Sequence, residues 1–210
     1  MNQKIIKTLL VKYDNSNLPL DDKEIDILLG IDFKEAEKNI DPHDLTRDFG
    51  IEQYRYEGTP YDFIRYFLNK LSLNKTDIVY DLGSGYGRVI IYGALTREAY
   101  FKGIEIVPSR TQRIMDVKNK FQIDNLDCQE CNILDTDYSD GNIFFLFNPF
   151  FYETLQKVGS RLEEIAKRKK IKIITWGGTS NDYFTEQSWL SEKIFRDQTP
   201  YKLQFFESRE

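Results

Sequence analysis

Residues 81–87 read Asp-Leu-Gly-Ser-Gly-Tyr-Gly, a carboxylate followed by three glycines at alternate positions. Glycine lets a chain leave a strand through a sharp turn and removes side chains that would hold a ligand away from the backbone. The stricter dinucleotide spacing G-x-G-x-x-G fails, because counting from Gly83 it puts Arg88 where the third glycine belongs. A pyrophosphate would seek backbone NH groups at a helix N-terminus, and the Asp81 carboxylate would repel it. That carboxylate suits an ammonium group instead. Glu105 lies 22 residues beyond Gly83, at the end of the next apolar segment, where a carboxylate accepts both hydroxyls of a ribose. Two acids around one glycine loop fit a cationic nucleoside that carries an amino acid.

A second constellation is Phe144-Phe-Leu-Phe-Asn148-Pro-Phe-Phe-Tyr152, an apolar strand that runs into Asn-Pro. Asn148 both donates and accepts, while Pro149 fixes the turn and leaves its carbonyl exposed. Open α/β sheets hold ligands at this carboxyl edge, which places the pair beside the glycine loop. Tyr54, Tyr56, Tyr61, Phe150, Phe151 and Tyr152 could wall a narrow channel there and attract an ammonium group. Other chemistries lack their residues. His43 is the sole histidine, so Cys128 and Cys131 cannot complete an ordinary zinc site, and a Ser/His or Cys/His arrangement would depend on His43 alone. No metal is expected. The run Lys167, Arg168, Lys169, Lys170 and Lys172 reads as a solvated face that complements a helix C-terminus.

These residues need a scaffold, and 210 residues suffice for one good hydrophobic core. Hydrophobic residues make up 40% of the chain and charged residues 30%, which excludes disordered and fibrous classes. The formal charge of −5 gives no broad attraction to nucleic acid or anionic membrane. It is localised: residues 1–60 hold 8 basic and 13 acidic side chains, and the remainder is balanced at 21 of each. Lysines interrupt the first dozen residues, no span approaches membrane length, and two core thiols suit a reducing compartment, so a cytoplasmic protein is expected.

The pattern predicts a strand or helix at Ile5–Val11, a helix from Asp21 or Asp22 to Gly30 and a short helix at Phe33–Asn39. An amphipathic helix carries Ile64, Phe67, Leu68 and Leu71. Strands follow at Ile78–Leu82, Phe101–Ile106, Leu126–Ile133, Ile143–Phe147 and Ile171–Thr175. Between them come helices at Arg88–Leu95, Arg110–Phe121 and along Leu155, Val158, Leu162 and Ile165. Such alternation implies a largely parallel sheet covered on both faces. Glu192–Arg196 and Tyr201–Phe206 read as a closing antiparallel hairpin. Residues 1–53 are too small for an independent unit and read as an extension packed on a domain at 54–210.

Asp81 to Gly87 with Glu105 resembles the cofactor site of class I S-adenosylmethionine-dependent methyltransferases. Val79-Tyr-Asp-Leu-Gly-Ser-Gly-Tyr-Gly-Arg-Val89 with Gly103-Ile-Glu-Ile-Val-Pro108 is similar to the group that includes Dot1-type histone-lysine methyltransferases. The resemblance implies a Rossmann-like α/β sheet in the order 3-2-1-4-5-7-6 with a mostly helical N-terminal extension. It implies an enzyme that uses S-adenosyl-L-methionine and releases S-adenosyl-L-homocysteine. Tyr54, Thr59, Asp81, Gly83, Ser84, Gly85, Gly87, Glu105, Ile106, Asn132, Ile133 and Asn148 would hold that cofactor. Asn132 stands where the family usually carries an adenine-binding acid, with Asp135 as the other choice. Asn148, Pro149 and Tyr61 would meet the acceptor, because Asn-Pro-Phe150 is similar to the Asn-Pro-Pro-Tyr/Phe motif of nitrogen-directed methyltransferases; here Phe150 replaces the second proline. The implied acceptor is a nitrogen, first a protein lysine. The alternatives are an amine of a small molecule or nucleic acid, or a scaffold that binds cofactor without turnover. The departure at Phe150 and the acidic N-terminal segment weigh against nucleic acid, and no membrane partner is expected.

Overall fold

A computed structural model of the chain describes residues 3–16, 18–31, 33, 37, 38, 40, 56–192 and 203–209. Its strands are β1 (Ile78–Leu82), β2 (Tyr100–Glu105), β3 (Leu126–Glu130), β4 (Ile143–Phe147), β5 (Lys172–Trp176), β6 (Leu190–Glu192) and β7 (Gln204–Ser208). They form a seven-stranded sheet in the order β3-β2-β1-β4-β5-β7-β6. Strands β1 to β5 run parallel, and β7 is antiparallel to both β5 and β6. The helices are α1 (Gln3–Asp14), α2 (Asp22–Leu29), α3 (Tyr61–Leu71), α4 (Arg88–Thr96), α5 (Pro108–Phe121), α6 (Tyr152–Ala166) and α7 (Gly178–Thr185). The expected α/β class, strand order and helical N-terminal extension are all present.

Strand alternation explains the two-sided core. Val79 and Phe145 join one apolar cluster with Ile64 and Phe67 of α3, Val89 and Ile90 of α4, and Ile114 of α5. Their neighbours Tyr80, Phe144 and Leu146 point the other way, into a cluster with Leu155, Val158 and Leu162 of α6 and Phe184 of α7. Ile6, Leu10, Ile25 and Leu29 of α1 and α2 belong to the first cluster, so the extension shares the core. Asp21 caps α2 by accepting from Glu24 N at 2.9 Å, and Gly30 ends it at φ +82°.

Several boundaries differ from the sequence reading. Ile5–Val11 is helix, within α1. β3 stops at Glu130 instead of reaching Ile133, since Asn132 Oδ1 accepts from Leu134 N at 2.9 Å and turns the chain. The terminal hairpin is antiparallel as expected, but its strands are displaced to Leu190–Glu192 and Gln204–Ser208; residues 193–202 lie outside the described residues. α7 was not expected. Most of the helix expected at Phe33–Asn39, the extension boundary at residues 53 and 54, Tyr54 and His43 also lie outside the described residues. Among the described residues no helix is long and apolar enough to cross a membrane, and no cluster of three His, Cys, Asp or Glu could hold a metal.

Candidate cofactor and acceptor site

The carboxyl ends of β1, β2 and β4 open onto a cavity of about 360 Å³, within the range of roughly 300–1,000 Å³ usual for small-molecule sites. β1 lies between β2 and β4, with Asp81 in register with Gly103 on one side and Phe145 on the other. The chain then leaves β1 through Gly83 at φ +91°, Gly85 at φ +55° and Gly87 at φ +79°. These left-handed conformations explain the glycines, and so does crowding. A Cβ on Gly83 would fall 2.4 Å from Pro149 Cβ, and one on Gly85 would fall 2.5 Å from the Tyr56 ring. The missing side chains therefore admit neighbouring protein segments as well as exposing the loop backbone to the cavity.

Asp81 is buried, and among the described residues no side-chain hydrogen bond reaches its carboxylate. Burial, reinforced by the nearby negative charge of Glu105, pushes its pKa up to about 8. Glu105 is better supported. Its Oε2 accepts from Gly85 N at 2.8 Å and its Oε1 from Val107 N at 2.9 Å, with Arg110 Nη1 3.7 Å from Oε1. Burial still raises the Glu105 carboxyl above its ordinary value, against the pull of Arg110 and those amides. The result is a rigid acid at the end of β2 and an unsatisfied acid at the end of β1.

Thr59, Asp81, Gly83, Ser84, Gly85, Glu105, Ile106, Ile133, Asn148 and Pro149 all line this cavity. Gly87 does not: it precedes α4, and a Cβ there would strike Ile114. Asn132 is also outside the lining, its side-chain oxygen engaged in its own turn, while its neighbours Cys131 and Ile133 face the space. Tyr61 is fully buried away from it, and its hydroxyl donates to Asp26 Oδ1 at 2.9 Å. Asn148 does line the cavity, but its Oδ1 accepts from Ser180 N at 3.1 Å.

Two arginines in the lining were not legible as site residues. Arg88, the first residue of α4, bonds Asp26 Oδ1 through Nε at 3.0 Å, pairs with Asp26 Oδ2 and Asp22 Oδ2, and donates to the Thr59 carbonyl at 3.3 Å. Asp22 Oδ1 also accepts from Tyr61 N at 2.9 Å. Helix α2 thus holds the Thr59–Tyr61 segment and the start of α4 through one buried ionic knot. Arg110 ties Glu105 to Glu37 in the same manner, with 3.0 and 3.1 Å bonds to Glu37. Nothing in the sequence signals either partner, since 62 residues separate Arg88 from Asp26. At the ends of β4 and β5 Phe147 stacks on Trp176 with ring centroids 4.0 Å apart, and Phe63 meets Trp176 edge-on at 4.8 Å.

Solved structures with this arrangement of elements are methyltransferases of varied kinds. An RNA methyltransferase from Salinibacter ruber, solved with S-adenosyl-L-homocysteine, is 19% identical, with 72% of this chain and 92% of that one covered at a TM-score of 0.56. Human methyltransferase 10 domain containing protein is 15% identical over 82% of this chain and 95% of that one, TM-score 0.53. Precorrin-6y C5,15-methyltransferase from Geobacter metallireducens is 16% identical over 78% and 95%, TM-score 0.53. At these identities the likeness is one of fold, the class I methyltransferase fold. No curated protein matches the sequence. The family model described as "Histone methylation protein DOT1" matches residues 40–145, half of the chain, and covers the glycine loop and Glu105. The chain belongs to this DOT1 family of S-adenosylmethionine-dependent methyltransferases.

Proposed function

We propose that this methyltransferase delivers its methyl group to a nitrogen, with the side chain of a protein lysine as the first acceptor class. The observation that carries the reading is the Asn148-Pro149 turn, which lines the same cavity as Asp81 and Glu105. When bound, the cofactor supplies a methyl group on a sulfonium, an electrophile whose electron pair leaves with sulfur. Of the residues that line the cavity, Asp81 would hold the ammonium of the methionine end, Glu105 the ribose hydroxyls, and Ile106 and Ile133 the adenine ring. The carbonyls at Asn148 and Pro149 accept from the acceptor's N–H groups and so direct its lone pair toward the methyl carbon. In-line displacement asks the protein mainly for alignment and exclusion of water. Phe147 and Phe150 in the lining provide the dry wall.

A lysine must be neutral to attack, so transfer rises with pH until the bound amine has lost its proton. An amine on a planar ring, in a nucleic acid or small molecule, is the second reading. The stacked Phe147–Trp176 pair beside the turn and the solved fold relative named an RNA methyltransferase support it.

The test is transfer of tritiated methyl from S-adenosylmethionine into cell extract, separated into protein, nucleic-acid and small-molecule fractions. Methyllysine in the hydrolysed protein fraction is expected. Label confined to either other fraction selects the second reading, and label on oxygen or carbon overturns a nitrogen acceptor. Cofactor binding without transfer to any fraction would identify a scaffold.

A further inference from the structure

Helix α7 starts without a side-chain cap from its own segment, because Gly177 occupies the capping position. The first turn of a helix leaves N–H groups with no intrahelical acceptor. One of them, Ser180 N, donates to Asn148 Oδ1 at 3.1 Å across 32 residues of sequence. Ser180 is fully buried, so water is no ready substitute for that oxygen. Asn148 itself stands at φ +38°, in the left-handed region that asparagine enters more readily than most side chains.

The turn is gripped from both sides. A Cβ on Gly177, at φ +99°, would fall 2.2 Å from Asn148 Nδ2. A Cβ on Gly83, at φ +91°, would fall 2.4 Å from Pro149 Cβ. Asn148-Pro149 is therefore wedged between the glycine turns that follow β5 and β1, the two strands that flank β4. An N–H needs an acceptor, which fixes the amide: Oδ1 faces α7.

We infer that Asn148 is the cap of α7, and that Gly177 and the Ser180 amide are positioning residues for methyl transfer. They hold the Asn148 backbone in its left-handed turn. The main-chain carbonyls of Asn148 and Pro149, and not the engaged side-chain oxygen, then accept from the acceptor nitrogen. This rests on the nitrogen-acceptor reading for its chemistry but not for the cap.

Two measurements test it. The first is hydrogen exchange at the Ser180 amide. Exchange is expected to be roughly tenfold or more faster in Asn148→Gly, which keeps the left-handed turn but has no acceptor. Asn148→Asp, whose carboxylate accepts the same N–H, should keep the protection. Unchanged exchange in Asn148→Gly overturns the cap, whatever the acceptor proves to be. The second is a double-mutant cycle on transfer of tritiated methyl into extract. Gly177→Ala should lower transfer roughly tenfold when Asn148 is present and less than about threefold in the Asn148→Gly background, since backbone strain at 177 is common to both and cancels. S-adenosylhomocysteine affinity should stay within about threefold of wild type in Gly177→Ala, because the loss is one of alignment. Equal losses in the two backgrounds overturn the positioning role. If the unaltered protein transfers no label, the nitrogen-acceptor reading fails and takes the positioning role with it, while the exchange result still decides the cap.

Discussion

With Asp81 proposed as the partner of the cofactor's ammonium group, cofactor binding is expected to be a proton-linked event. With its pKa pushed up to about 8 by burial and by Glu105, the free carboxyl is about 0.9 protonated at pH 7. An ammonium group beside it favours the carboxylate, so binding expels that proton. Calorimetry of S-adenosylhomocysteine at pH 7, in two buffers of different ionisation enthalpy, should report release of close to one proton. Affinity should rise about ninefold from pH 6 to 7 and about fivefold from pH 7 to 8, roughly 50-fold in all, if the bound pKa falls well below 6. Asp81→Asn should bind weakly at every pH, with the release largely gone. The free protein carries the opposite linkage. Between the ordinary carboxyl value of 3.8 and about 8, the folded state binds a proton that the unfolded state has lost. Folding stability contributed by this carboxyl is therefore complete below pH 4 and declines as pH rises to 8, by at most about 1.4 kcal/mol per unit relative to Asp81→Asn. Binding that is flat with pH, or equal proton release from the wild type and Asp81→Asn, would refute the reasoning.

Three further outcomes follow from the geometry. Replacing both Asp22 and Asp26 with Ala strands the buried Arg88 guanidinium, whose side chain is only 7% exposed, and should cost about 3–5 kcal/mol by urea denaturation; a loss below about 1 kcal/mol would show that the ionic knot does not hold the extension in place. Gly93→Ala drives a Cβ to 2.2 Å from the Phe101 ring where α4 packs on β2, and should cost about 1–3 kcal/mol in thermal unfolding with little change elsewhere. Burial pushes the Cys128 thiol up to about 12, whereas half-buried Cys131 lines the cavity. Native alkylation should mark Cys131 first, slow when S-adenosylhomocysteine is added, and reach Cys128 only on unfolding, as peptide mass mapping would show.

What was legible in the sequence was local. β4 is a continuous apolar run and β1 one interrupted only by Asp81, each bounded by turn residues, and their ends were read at Ile78–Leu82 and Ile143–Phe147. The glycine loop and Glu105 announce themselves by residue type within one strand-turn-helix-strand unit, and the cavity gathers most of the residues expected around them. Long-range pairing was not legible. Tyr61 looked like an acceptor contact as one of the aromatic residues that could wall the channel, yet its hydroxyl is drawn into the core by Asp26, 35 residues earlier. Asn132 spends its oxygen on Leu134 N two residues on, a local bond that a site-based reading passes over. Helix α7, Gly-Thr-Ser-Asn-Asp-Tyr-Phe-Thr, is built of weak helix formers and begins beside Asn148, a residue that no pattern within its own segment could reveal.

The nature of the bound nucleoside can be read directly by calorimetry of the free protein titrated in turn with S-adenosylhomocysteine, NAD and NADP. Single-site binding of S-adenosylhomocysteine, with both dinucleotides silent, is the expected result. Selective binding of either dinucleotide would contradict the assignment of Asp81 to an ammonium group and of the cavity to a methyl donor.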